Sequence, residues 1–348
     1  MSPTRVPMCL AVSAMSFVNS GLALGDRACY SRKVSRVTFD KPPVFILGHW
    51  RSGTTFLHEL LIRDPRHNYP TTYQCFVPHH FLLTEKLIAP CTEFLLPRRR
   101  PMDNMVAGWH RPQEDEFALQ IMGVPSPYAS MMFPKHGEVH REYLTLKELP
   151  EEHRTAWKRQ LMQFFQRIAL RDQRRLVVKS PPHTARLATL LEMFPDAKFI
   201  HITRHPAELF ASTVRLWRSL NSVQGVHVPK DEAWVEDYVI DSFERMYEAF
   251  AEDRALLGND QLAEVRYEDL AANPKAEVQR VYEELDLGGF DPAEPTIDAY
   301  LDQISNYRPN QHEIDESISQ KLQQRWAWYY EEYGYELAAS DRDSTARR

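Results

Sequence analysis

Three short stretches of this chain hold residues that could grip an anion or move a proton. Gly48-His49-Trp50-Arg51-Ser52-Gly53-Thr54-Thr55 gathers two glycines, one arginine and three hydroxyls in one run. Between a strand and a helix, such a run turns backbone N–H groups toward an anion, and its side chains add further donors. The glycine spacing is that of a phosphate loop, but Thr54 stands where the nucleotide-triphosphatase loop carries lysine. Lys179 and Arg204 each follow a short apolar run, so two more cations are candidates for the same anion. For the proton, His183 has an imidazole that titrates near neutrality. The rival is the acidic cluster Glu114-Asp115-Glu116, where Phe117, Ala118 and Leu119 would raise a carboxyl pKa. Glu116 and His183 stand level as base candidates, with Glu114 next.

These residues need elements to bring them together. Val44–Gly48, Arg175–Lys179, Lys198–Thr203 and Leu262–Tyr267 are apolar or β-branched runs of strand length. Helical spacing follows them in Leu57, Leu60 and Leu61, in Leu187, Leu190, Leu191 and Phe194, in Phe210, Val214 and Trp217, and over Ala276–Leu285. Alternating strands and helices predict an α/β fold, a central parallel sheet flanked by helices in a P-loop-like three-layer arrangement. Ligands of such sheets bind beyond the carboxyl ends of the strands, where Arg51, Lys179, His183 and Arg204 all fall. Residues 69–150, rich in proline, histidine and aromatics, predict a helical insertion covering one end of the sheet. Tyr69, Tyr73, Phe76 and Trp109 within it are candidates for an acceptor pocket, and Phe56 for stacking on a base. The expected organisation is an N-terminal docking-helix region over 1–40 and a single α/β domain over 41–340. A helical tail closes that domain, with Leu322, Trp326 and Tyr329/Tyr330 spaced for burial, and a flexible end follows over 341–348.

Composition narrows the class. The 348 residues are 43% hydrophobic and 26% charged, the balance of a globular protein. A net charge of −6 argues against a nucleic-acid coat, so an anion site must be a local cluster of cations. No uninterrupted apolar run of membrane-spanning length occurs, which excludes a multi-span protein. Met8–Leu24 is apolar but broken by Ser13, Ser16, Asn19 and Ser20; a docking helix is the favoured reading, and a signal or membrane anchor stays open. Cys9, Cys29, Cys75 and Cys91 form no C-x-x-C pair, which points to free thiols in a reducing cytoplasm. His79-His80 lacks acidic partners at metal spacing, so no metal is expected; Arg98-Arg99-Arg100 reads as a solvated basic loop.

The Arg51-Ser52-Gly53-Thr54-Thr55 loop resembles the 5′-phosphosulfate loop of the sulfotransferase family. Arg204 with Ser212 eight residues on is similar to that family's 3′-phosphate motif, and Tyr267-Glu268-Asp269-Leu270 to the segment whose tyrosine contacts adenine. Pro112–Phe117 and Lys179–His183 look like segments of a broad bacterial group of these enzymes, and the likeness runs from Pro43 to Tyr335. The resemblance implies transfer of a sulfuryl group from 3′-phosphoadenosine-5′-phosphosulfate (PAPS) to a hydroxyl or amine, without a metal. Arg51, Ser52, Gly53, Thr54, Thr55, Arg204, Ser212 and Tyr267 would hold the donor, and Arg51 and Lys179 would neutralise charge on the transferring group. The chain departs from the animal branch in carrying Arg51 where that branch has lysine, and in placing His183 four residues after Lys179 rather than two. The acceptor, a small molecule, glycan or lipid, is left open, as are membrane contact and oligomeric state. The alternatives are a P-loop kinase and a nucleotide-binding module without sulfuryl transfer; Thr54 and the lack of a strand-end aspartate at Lys179 weigh against the kinase.

Overall fold

The computed structural model describes residues 2–97, 106–228, 232–305 and 315–336; Arg98-Arg99-Arg100 and the tail expected over 341–348 lie outside the described residues. Five strands form one parallel sheet: β1 (Val44–Leu47), β2 (His67–Asn68), β3 (Arg175–Lys179), β4 (Lys198–Thr203) and β5 (Leu262–Arg266), in the order β2-β3-β1-β4-β5. Central β1 sets Val44 opposite Val177 on one side and Lys198 on the other. The fold is the α/β class the alternation predicts. The strand missing from the sequence reading is β2, a two-residue edge pairing too short to leave any periodicity. Gly48 lies past the end of β1, and Tyr267 opens the next helix instead of ending β5.

Alternation within the strands makes three layers. Val44, Ile46, Val177, Ile200, Ile202, Ala263 and Val265 face one apolar cluster, closed by the helices Thr54–Leu61, Pro274–Glu284 and Glu294–Gln303. Phe45, Leu47, Leu176, Val178 and Phe199 face the other, closed by Glu151–Arg171, Pro206–Gln224 and Trp234–Asp253. A strand buried on both faces is apolar at every position, as β1 is. The C-terminal helices Glu316–Arg325 and Ala327–Glu332 bury Leu322, Trp326, Tyr329 and Tyr330 against this second layer.

Two additions frame the carboxyl ends of the strands. Between β2 and β3 run the helices Thr72–Phe76, Phe81–Thr92, Asp115–Ile121 and Ala129–Met132. At the N-terminus one continuous helix covers Val6–Val34. The serines do not break it: Ser20 Oγ donates to the Ser16 carbonyl one turn back, which satisfies the hydroxyl within the helix. Its second half is docked. Asp26, fully buried, pairs with Arg167 at 2.7 Å and accepts from Leu83 N at 3.2 Å, and Val34 joins the core.

Candidate active site

The loop after β1 has a shape that dictates its glycines. Gly53 has φ +104°, and a Cβ there would come within 2.4 Å of the Tyr267 ring. A Cβ on Gly48, at φ +146°, would sit 2.6 Å from the Ile202 carbonyl oxygen. Arg51 itself takes a left-handed φ of 69°, uncommon for a side chain with a Cβ and often found at functional turns. Ser52 Oγ closes the turn by donating to the His49 carbonyl at 2.8 Å, and Gly48 N donates to Thr184 Oγ1 at 2.7 Å. Thr54 then opens the helix, whose first N–H groups have no intrahelical partner by construction.

Around this turn one cluster gathers the donor-binding candidates. Arg51 Nε donates to Ser212 Oγ at 2.9 Å, and Arg204 donates to the Arg51 carbonyl at 3.1 Å. The Arg204 guanidinium lies over the Tyr267 ring, 4.4 Å from its centroid, and bonds Glu208 at 2.8 Å. Its buried Nε finds no hydrogen-bond partner among the described residues. A buried guanidinium N–H with nothing to donate to is costly unless a ligand accepts it. Phe56 packs against the apolar cluster under the sheet.

A second cluster holds the proton candidates, and the structure separates the three acids. Glu114 is the N-cap of the helix Asp115–Ile121 and pairs with the Lys179 ammonium at the end of β3. Tyr128 donates its hydroxyl to the same carboxylate and in turn accepts from Trp50 Nε1 at 3.0 Å. Burial, with Glu114 beside it, pushes the Tyr128 pKa well above the ordinary range, so it remains a donor. Trp50 belongs to the anion loop, and its carbonyl accepts from Thr213 at 2.9 Å. One chain of hydrogen bonds thus joins the loop to Glu114 and Lys179.

Asp115 and Glu116 turn the other way. Asp115 accepts from Ser180 Oγ at 2.6 Å and lies 2.8 Å from His183 Nε2. Burial works to raise its pKa, but His183 and the Ser180 hydroxyl together hold it below the ordinary carboxylate value. His183 is itself fully buried, edge-on to Phe45 and Trp157, with Nδ1 unpartnered among the described residues. Glu116 takes a two-point contact from Arg186, which stacks on Trp157, and a hydroxyl bond from Ser126. Sequence reasoning missed Tyr128, Trp50 and Arg186. Only Arg186 left a signal: a lone cation in an apolar stretch needs a buried acid, and Glu116 is one.

Of the insertion's aromatics, Tyr73 is buried against Trp109 and bonds Thr84 at 2.9 Å, while Tyr69 bonds the His110 carbonyl. Phe76 is exposed and stacks on Phe117, which meets the Tyr128 ring edge at 5.1 Å. Aromatic contacts therefore run from Phe76 at the surface to Tyr128, whose hydroxyl bonds Glu114. His79 meets the Ile121 carbonyl, and His80 meets Thr84 and Asn19. Near the loop, His49 is pushed down to about 3 by burial, so it stays neutral.

The family described as Sulfotransferase family matches residues 42–292. Two curated relatives, each called omega-hydroxy-beta-dihydromenaquinone-9 sulfotransferase Stf3, come from Mycobacterium bovis and Mycobacterium tuberculosis. Each is 39% identical over 322 residues, covering 92% of this chain and 82% of the relative. Among solved structures, sulfotransferase STF9 from Mycobacterium avium superposes with a TM-score of 0.71 at 19% identity, covering 91% of this chain and 83% of that one. Sulfotransferase STF1 from Mycobacterium tuberculosis gives 0.59 at 20% identity, with 88% and 81% covered. At these identities the two structures speak for the fold alone.

Proposed function

This chain belongs to the sulfotransferase family, and from that premise we propose that it moves a sulfuryl group from PAPS to the hydroxyl of an isoprenoid-quinone lipid, with Glu114 as the base. The acceptor class comes from the Stf3 relatives, whose name specifies an omega-hydroxylated dihydromenaquinone. The observation that carries the reading is the hydrogen-bond chain Trp50–Tyr128–Glu114–Lys179, which ties the loop after β1 to a carboxylate paired with a buried lysine.

The residues present fit the donor. Arg204, whose buried Nε has no partner among the described residues, keeps a donor for an anion. Arg204 and Ser212 would hold the 3′-phosphate, Tyr267 the adenine, and Arg51, Ser52, Gly53, Thr54 and Thr55 the phosphosulfate, with Arg51 steadied by Ser212. When bound, the donor supplies an electrophilic sulfur on a phosphate leaving group. Lys179, 4% exposed at its side chain, sits where it can neutralise charge on the sulfonate or bridging oxygen, and no metal is required for that. Glu114 takes the proton of the acceptor hydroxyl as the new S–O bond forms and the bond to the bridging oxygen breaks. Its pair with Lys179 must then open, which exchanges one charge contact for another. Tyr128 keeps the carboxylate aimed.

Asp115, His183, Ser180, Glu116 and Arg186 support this site from behind. They lock the start of the helix Asp115–Ile121 to the β3 loop, and so fix the spacing between Glu114 and Lys179. On this reading Glu114 moves ahead of His183 and Glu116, because its side chain is 13% exposed while theirs are sealed from any acceptor. The four cysteines are unpaired, which supports a cytoplasmic enzyme. The test is differential stabilisation. Adenosine 3′,5′-bisphosphate should raise the unfolding temperature equally with and without magnesium. Stabilisation by magnesium–ATP alone would return the chain to the kinase reading.

A further inference from the structure

The N-terminal helix is apolar where it is least covered. Residues 10–18, Leu-Ala-Val-Ser-Ala-Met-Ser-Phe-Val, are exposed on every side, Phe17 at 81%. An apolar helix without packing partners belongs in a core or in lipid. Both flanks of this stretch are pinned. On one side Ser2 N donates to the Val226 carbonyl, Arg5 to the Ser222 carbonyl, and Val226 N to the Met132 carbonyl. On the other, Asn19 meets His80, and Asp26 is locked to Arg167. The stretch from 5 to 19 is therefore a strap about 21 Å long at helical rise. It reaches from the landing point beside Met132 to the one beside His79 and His80. Those two landing points carry the exposed Met132 and Phe133, and the exposed Phe76 and Ile121. They add exposed apolar side chains at both ends of the strap.

A second exposed apolar edge adjoins the strap. Leu83, Leu87 and Ile88 on the helix Phe81–Thr92, followed by Phe94 and Leu95, are exposed, and Leu83 lies against Gly25 of the N-terminal helix. Cations outnumber acids beside this surface. Residues 2–36 hold five cations, Arg5, Arg27, Arg32, Lys33 and Arg36, and one acid, Asp26, which is buried on Arg167. Arg27, Arg32, Lys33, Arg36 and Lys86 are exposed, while Glu93 on the neighbouring turn accepts from Trp109 N. Apolar side chains for acyl chains beside cations for headgroups are the two signals of interfacial membrane binding.

We propose that the strap and the adjoining Leu83–Leu95 edge dock on an anionic lipid bilayer. A lipid acceptor would then meet the enzyme at the bilayer surface. That last consequence rests on the proposed function; the docking does not.

The test uses the full chain and vesicles free of donor and acceptor. Vesicles of phosphatidylglycerol with phosphatidylcholine should pellet the wild type, and phosphatidylcholine alone should pellet it at least tenfold less well. The triple variant Leu10→Ser, Met15→Ser, Phe17→Ser should bind anionic vesicles at least tenfold more weakly while keeping its unfolding temperature. Arg27→Gln, Arg32→Gln, Lys33→Gln should lose most of the preference for the anionic lipid. Should the serine variant unfold, Phe17→Trp reads the same contact, as extra quenching by brominated acyl chains. Wild type that stays in the supernatant, a folded serine variant that binds like wild type, or no extra quenching would each overturn the proposal. So would a dimer in ultracentrifugation, dispersed by the serine variant, in place of vesicle binding. Failure of bisphosphate binding or of sulfuryl transfer would leave the vesicle result unaffected.

Discussion

Replacing Glu114 by glutamine removes one charge from the crevice and little else. The amide keeps the length of the side chain and can still accept from Tyr128, so the Trp50–Tyr128–Glu114 geometry should survive. What is lost is the proton acceptor and the counter-charge of Lys179. A general base contributes about 10²–10⁴-fold, or roughly 2.7–5.4 kcal/mol of barrier. The lost pairing costs less in stability, because the Glu114 side chain is 13% exposed and Lys179 gains an anion when the donor binds. Less than about 2 kcal/mol of folding stability should go, well short of the about 3–5 kcal/mol for halving a fully buried pair. Single-turnover sulfuryl transfer from saturating donor, with the acceptor in excess, isolates the chemical step. The account expects Glu114→Gln to slow it at least 100-fold, with bisphosphate affinity within a few-fold of wild type. A folded variant retaining a tenth or more of the wild-type rate would refute Glu114 as the base and reopen His183.

Three further outcomes follow from the same geometry. Glu116→Gln strands Arg186, which is fully buried, and should lower stability by about 3–5 kcal/mol in denaturant titration; loss of activity at full stability would instead give Glu116 a chemical role. Arg204→Ala and Ser212→Ala should each weaken binding of adenosine 3′,5′-bisphosphate in calorimetry at least tenfold more than binding of the 5′-phosphate alone, and equal weakening would make both residues structural. Burial pushes His49 and His58 down to about 3, His58 with help from the Lys179 charge, so in the window from pH 6.5 to 3 the unfolded chain binds protons that the folded chain does not. Stability must therefore fall with pH, by about 2 kcal/mol per histidine at pH 5, while Asp115 adds nothing until pH drops below the ordinary carboxylate range; an unfolding temperature unchanged between pH 7 and 5 would contradict this.

The sheet was legible because its strands are buried on both faces, which leaves continuous runs such as Val44–Leu47 and Lys198–Thr203. The turn after β1 was legible because its two glycines are forced by backbone geometry at Gly48 and Gly53. The long helix Trp234–Asp253 carries an apolar stripe, Val235, Val239, Phe243, Met246 and Phe250, that the sequence reading did not use. Ranking the base was beyond the sequence for a physical reason. Glu114, Asp115 and Glu116 are adjacent, and each has apolar neighbours within a turn. Their fates differ because an N-cap points one way and the first helical turn another, toward Lys179 in one case and toward His183 and Arg186 in the others. Those partners come from a loop more than sixty residues away, so no local pattern encodes the choice. A docking helix was expected over 1–40, but only the packing shows that its second half is held through Asp26 while residues 10–18 stand clear.

The most direct test is transfer itself: purified chain, PAPS, no added metal, and a paired panel of an omega-hydroxylated isoprenoid quinone and the same quinone without the hydroxyl, followed by mass spectrometry. The account predicts a product heavier by one sulfuryl group on the hydroxylated quinone only, formed by wild type and at least 100-fold more slowly by Glu114→Gln. No sulfated product from the hydroxylated quinone, under conditions where adenosine 3′,5′-bisphosphate binds, would contradict the proposed acceptor, and equal rates for the two proteins would contradict the base.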